Sequence, residues 1–251
     1  MEFDCISVIP EVFDSYIHAS ILGRALERDI FSFNAYNLRD WTHDRHRTVD
    51  DAPLGGKQGM LMKPEPIFEA VRSVSAQGEV PPHVIFFSPC GKRFDQAAAE
   101  KLSHERRVLF VCGRYEGMDE RCYELADEVY SIGDYIMTGA ELASLVVIDS
   151  VVRLLPGALG DSHSARDESF ETGLLEYEQY TRPANFEGRE VPEILRSGNH
   201  EAIAAWQHRN ALERTLKWRP DLLENVELSQ EDQAYLAELK EEHGKAHGER
   251  Q

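Results

Sequence analysis

Along the first two-thirds of the chain, apolar residues recur in two alternating rhythms. Short runs rich in Val, Ile and Phe stand at 3–9, 31–38, 84–88, 108–113 and 129–132, and each reads as a strand. Between and after them, helical spacing predicts helices over 10–20, 64–76, 95–102 and 139–155. Strands alternating with helices are the sequence form of an α/β domain built on a largely parallel sheet. Past residue 160 the strand signal stops. The polar stretch 161–172, rich in Ser, Asp and Glu, reads as an interdomain linker. Beyond it, Ile203, Trp206, Leu212 and Leu216 mark a helix over 201–218, and Ser229 with Asp232 can form a capping box opening a second over 230–243. The expected organisation is an α/β domain over 1–160, a flexible linker over 161–172 and a small all-helical domain over 173–251, with 241–251 a frayed polar tail.

Charge changes this picture more than composition does. The 251 residues are 42% hydrophobic, ordinary for a globular chain, but the net charge is −18. Phosphate binding is carried by Lys and Arg, so such a chain does not coat nucleic acid through bulk electrostatics, and any nucleic-acid site must be local. Two basic patches are candidates: Arg39, His43, Arg45, His46 and Arg47, and Arg209, Arg214, Lys217 and Arg219 around Trp206 and Trp218. Either can equally be a solvated face. The longest apolar stretch, 142–155, is broken by Asp149, and the first residues carry Glu2 and Asp4 where a secretory leader would be basic. A cytoplasmic protein with no membrane role is expected. Cys5, Cys90, Cys112 and Cys122 lack metal-ligand spacing and read as buried free thiols.

Candidate chemistry gathers in loops at strand ends, where open α/β sheets hold ligands. These are 87–91 (Phe-Ser-Pro-Cys-Gly), 112–117 (Cys-Gly-Arg-Tyr-Glu-Gly) and 131–139, which contains Gly133 and Gly139. Glycines there let the backbone approach a flat ligand and expose N–H and C=O groups, which suits an adenine edge and a ribose. No G-x-G-x-x-G or G-x-x-x-x-G-K-[ST] is present, which disfavours dinucleotide and P-loop sites. A further glycine-rich stretch, 50–60, begins with Asp50 and Asp51; their carboxylates can accept from a base edge or simply be solvated, and spacing alone favours the latter.

Taken together, VDDAPLGGKQGM at 49–60, VCGRYEGMDER at 111–121, SIGDYIMTGAE at 131–141, DSVVRLLPG at 149–157, and GLLEYEQYTRP with VPEILRSGNH further on resemble the tRNA (guanine-N1)-methyltransferase family, the TrmD type of SPOUT methyltransferase. The resemblance implies a trefoil-knotted S-adenosylmethionine (AdoMet) domain, a helical tRNA-binding domain and a homodimer with active sites at the subunit interface. It implies methylation of guanosine 37, next to the anticodon, on the tRNA anticodon stem-loop. It also implies a need for a divalent ion such as Mg2+, for which no ligand cluster, and so no dedicated metal site, is evident.

Carried over residue by residue, the resemblance assigns AdoMet binding to Phe87, Ser88, Pro89, Gly113, Tyr115, Glu116, Ile132, Gly133, Asp134, Tyr135, Ile136, Met137 and Gly139. It assigns Asp50, Gly55, Gly56, Gly59 and Met60 to the guanine-facing loop and catalysis to Arg153; the basic stretch around Arg214 and Lys217 would grip the tRNA backbone. Several positions depart from the family pattern: Leu54, Lys57, Gln58 and Ala140 replace its usual residues, and its catalytic aspartate reads Glu168, with Asp167 one place earlier. Either carboxylate can then be the base. Two competing readings remain: another SPOUT enzyme acting on ribosomal RNA or a ribose hydroxyl, and a non-catalytic AdoMet- or RNA-binding module.

Overall fold

A computed structural model describes residues 1–56, 58–159, 169–170 and 173–248, and the chain divides into two compact units, Met1–Ser162 and His163–Gln251. The first unit is built on strands β1 (Glu2–Ser7), β2 (Ser32–Asn37), β3 (Asp50–Asp51), β4 (Leu61–Met62), β5 (His83–Arg93), β6 (Arg107–Val111) and β7 (Glu128–Ser131). Five of these form one sheet in the order β2-β1-β6-β5-β7, every neighbouring pair parallel. β3 and β4 pair separately as an antiparallel hairpin. The helices of this unit are α1 (Asp14–Ile17), α2 (Ser20–Glu27), α3 (Pro64–Ser75), α4 (Gln96–Ser103) and α5 (Glu141–Val152).

A parallel sheet covered on both faces needs apolar side chains on both, and the alternation along the strands delivers them. Phe3, Cys5, Ile85, Val108 and Phe110 enter one core with α2 and α5, whereas Ile6, Val84, Phe86, Leu109 and Val111 enter another with α3. Consecutive residues of β6 therefore serve opposite cores, and all five are buried. Arg107 reaches the interior because its charge is compensated there: Nη2 lies 2.7 Å from Asp4 Oδ2 and also donates to the Val74 carbonyl.

The single helix expected over 10–20 is instead a 3-10 turn, Pro10–Val12, followed by the four-residue α1 and then by α2, which the spacing did not reveal. Ser20, at φ +50°, interrupts the run. The strand expected to stop at residue 88 resumes after a bulge and continues to Arg93.

The second unit holds α6 (His200–Trp218), α7 (Gln230–Gly248) and a short hairpin of β8 (Asn185–Phe186) and β9 (Arg189–Glu190). The hairpin corrects the expectation of an all-helical unit, and α7 runs through much of the stretch expected to fray. Leu174, Leu212 and Leu236 form its core. The Ser229 capping box is present: Asp232 N–H donates to Ser229 Oγ at 3.1 Å, and Ser229 N–H donates to Asp232 Oδ2 at 3.3 Å.

Candidate active site

Three sheet strands end on one side, and the loops leaving them enclose a cavity of about 520 Å³, within the range of small-molecule sites. The first wall comes from the bulge in β5. Phe87 and Lys92 both stand opposite Tyr130, so residues 88–91 loop out between them. The second wall follows β6 and the third follows β7. Of the thirteen residues that the resemblance assigns to AdoMet, twelve line this cavity; Asp134 is exposed and does not. The fit to a nucleoside donor is good: glycines, a proline and aliphatic and aromatic side chains make most of the lining, with backbone polar groups at the loop turns. Tyr115, the one lining residue outside glycine with positive φ, is held at +60°, a conformation that a functional loop can retain because its surroundings fix it.

The stretch that the resemblance assigns to the guanine meets this cavity through its base. Met62 N–H donates to the Gly117 carbonyl (3.0 Å), Asp119 N–H to the Met62 carbonyl (3.0 Å) and Glu116 N–H to the Met60 carbonyl (3.1 Å). The β3–β4 hairpin is thereby sewn to the loop that walls the cavity. Gly59 sits where the two meet, at φ +100°, and a Cβ there would stand 2.3 Å from Glu116 Cγ. Asp50 pairs with Met62 across the hairpin and is half-buried. Gly55 and Gly56 have, apart from their chain neighbours, no atom of the described residues within 4 Å of where a Cβ would be, and the neighbouring Leu54 is fully exposed.

Sequence reasoning missed an ionic arrangement beneath the third loop. Glu141, the first residue of α5, is 2% exposed, and its Oε1 accepts from Ser7 Oγ at 2.7 Å and from Arg114 Nε at 3.0 Å. A Cβ on Gly139 would lie 2.4 Å from Glu141 Oε2 and 2.9 Å from Arg114 Nε, so only glycine admits this pair. Arg114 lies inside one of the glycine loops, but nothing in spacing joins it to Glu141 or to Ser7, 134 residues away from that carboxylate. Cys90, expected to be buried, is exposed and lines the cavity, 3.0 Å from Ser88 Oγ. The other three cysteines are buried, and burial pushes the Cys122 thiol up to about 12.

Arg153 caps the C-terminus of α5, half-buried. Asp167 and Glu168 lie outside the described residues. Arg214 and Lys217 are both on α6 of the second unit; Arg214 Nε is buried with no hydrogen-bond partner among the described residues, and Lys217 Nζ lies 4.9 Å from the Trp218 ring. In the first basic patch Arg47 pairs with Asp40 and His43 meets Glu69, while Arg39 Nη1 donates to the Arg47 carbonyl. Among the described residues, no three His, Cys, Asp or Glu side chains converge as metal ligands.

A parallel α/β sheet, a glycine-walled cavity beyond the ends of its strands and a helical second unit fit the class of methyltransferase that the motifs resemble. The chain belongs to the tRNA (guanine-N1)-methyltransferase family: a family model described as tRNA (Guanine-1)-methyltransferase TrmD matches residues 1–225. It is 50% identical over 242 residues to a tRNA (guanine-N(1)-)-methyltransferase of Dictyoglomus turgidum, covering 96% of this chain and 98% of the relative. Proteins of the same name from Lacticaseibacillus paracasei and Bacillus cereus are each 48% identical, covering 96% of this chain and 94% and 99% of theirs. No helix among the described residues is long and apolar enough to cross a membrane.

Proposed function

We propose that this chain transfers the methyl group of AdoMet to N1 of guanosine 37 in the tRNA anticodon stem-loop, in the cytoplasm and as a homodimer. The observation that carries this reading is the joined pair of loops: the hairpin bearing Asp50, Gly59 and Met60 is hydrogen-bonded to the loop that walls the donor cavity. The stretch proposed for the acceptor is thus anchored to a loop proposed for the donor. The names of the family's members supply the substrate. For the dimer, Leu142 and Val146, four residues apart on α5, are 60% and 47% exposed, and Ile136 is 85% exposed, apolar area that a second copy would cover.

AdoMet supplies an electrophilic methyl group on a sulfonium. The chain's residues must prepare the acceptor, because neutral guanine carries a proton on N1. Glu168 removes that proton, with Asp167 the alternative base, and assistance of this kind contributes roughly 10²–10⁴-fold. As the proton leaves, negative charge grows on guanine O6, and the Arg153 guanidinium stabilises it. Asp50 accepts from the guanine N–H edge. The target base must leave its stack, at a cost of about a few kcal/mol, while Arg214 and Lys217 hold the RNA backbone.

The test is to incubate the purified protein with labelled AdoMet and a tRNA transcript carrying G37, then map the methylated atom. Label at N1 of G37, lost when G37 is replaced, is expected; label on a ribose, on another base or nowhere would overturn the reading. Glu168→Gln should lower turnover by orders of magnitude with donor affinity retained. If Asp167→Asn does this instead, Asp167 is the base.

A further inference from the structure

Arg114 is the only Lys, Arg or His among the described residues lining the cavity, which also carries the carboxyl groups of Glu116 and Glu120. Its Nε is committed to Glu141 Oε1, and that carboxylate is fixed in turn by Ser7 Oγ and by burial. The two terminal nitrogens of the guanidinium make no hydrogen bond to the described residues, and the side chain is 26% exposed. The backbone of Arg114 is held on both sides as well. It forms an isolated antiparallel β-bridge with Gly139, and its N–H lies 3.1 Å from Met62 Sδ of the β3–β4 hairpin. Guanidinium has a rigid fork of donors; with one edge clamped, the other presents two N–H groups in a fixed direction.

Resting on the function proposed above, we infer that Arg114 is an anion-binding residue of this site. Its free edge takes a pair of anionic oxygens, either the α-carboxylate of the methyl donor or a phosphate of the RNA entering beside it. Glu141 is the positioning residue that acts through it. Bidentate recognition of carboxylate or phosphate is the geometry that arginine serves and lysine does not. Glu141 holds Arg114 as an ion pair and Glu116 and Glu120 also line the cavity, so the fork engages an anion through directed hydrogen bonds and not through surplus positive charge.

The experiment measures binding of S-adenosylhomocysteine, 5′-methylthioadenosine and tRNA to the full-length wild type and to Arg114→Gln, Arg114→Lys and Glu141→Gln. 5′-Methylthioadenosine keeps the nucleoside but lacks the amino-acid carboxylate. If the fork holds that carboxylate, the wild type prefers S-adenosylhomocysteine, and Arg114→Gln reduces the preference by roughly 10–100-fold, the range of a hydrogen bond to a charged group. If it holds a phosphate, the preference survives, while tRNA binding weakens and its salt slope falls by about 1. Arg114→Lys should recover only part of either loss. Glu141→Gln should reproduce it in weaker form and add nothing in the Arg114→Gln background, which a merely structural role would not do; should Glu141→Gln fail to fold, the two Arg114 variants carry the test alone. A wild type that binds both nucleosides normally while Arg114→Gln changes neither readout overturns this inference alone. A wild type that binds neither nucleoside overturns the proposed function with it.

Discussion

Glu128 shows how one side chain can add to the stability of the fold above acid pH. Burial opposes its ionisation, but Lys101, Tyr130 and His83 all hydrogen-bond to its carboxylate and outweigh that penalty, holding its pKa down to about 2. A carboxyl group whose folded pKa lies below its unfolded value of about 4.3 stabilises the protein above that pH and loses this contribution as pH falls. The window therefore runs from about pH 5 down to about pH 2, and Glu128→Gln should flatten acid unfolding across it, followed by circular dichroism. An unchanged acid limb would show that the cluster contributes little. None of this cluster was legible in the sequence, because His83, Lys101 and Glu128 lie on separate elements and meet only when β5 and β7 pair. Arg114 and Glu141 escaped for the same reason. That Phe87, Gly113 and Ile132 line a cavity was legible, because glycine-rich turns at strand ends, joined to a family resemblance, need no long-range pairing to be recognised.

At the level of elements, helix α7 depends on two separable features. Its Ser229 cap should contribute about 1 kcal/mol, and Leu236 anchors it against Leu212 of α6. Ser229→Ala should accordingly cost about 1 kcal/mol, and Leu212→Ala about 2–5 kcal/mol, because Leu212 is wholly buried and its removal opens a cavity. Thermal unfolding of the two variants checks the ratio; equal costs would mean that the cap carries as much as the core. The cap was legible in advance, since a serine followed three residues later by an acid carries its own mechanism. The β5 bulge and the β3–β4 hairpin were not. A bulge is defined by its partner strand, and the two-residue strands of the hairpin are too short to show alternation.

Over the whole molecule, a net charge of −18 repels RNA everywhere except where cations are placed deliberately. Replacing Arg214 and Lys217 together with Ala should weaken tRNA binding and lower its salt slope by about 1 for each phosphate no longer neutralised, measured by filter binding across salt concentrations. Unchanged binding would remove both residues from the interface. The alternating strand and helix signals foretold a parallel α/β sheet followed by helices; the order β2-β1-β6-β5-β7 was beyond them, because nothing in a strand's own residues names its neighbour. The bonds from Met60 and Met62 to Glu116, Gly117 and Asp119 carry a last consequence. These bonds tie the placement of one loop to that of the other, so at the sites proposed above the two substrates should sense each other's arrival. Thermodynamic linkage then requires that whatever factor the nucleoside lends to RNA affinity, the RNA returns in equal measure.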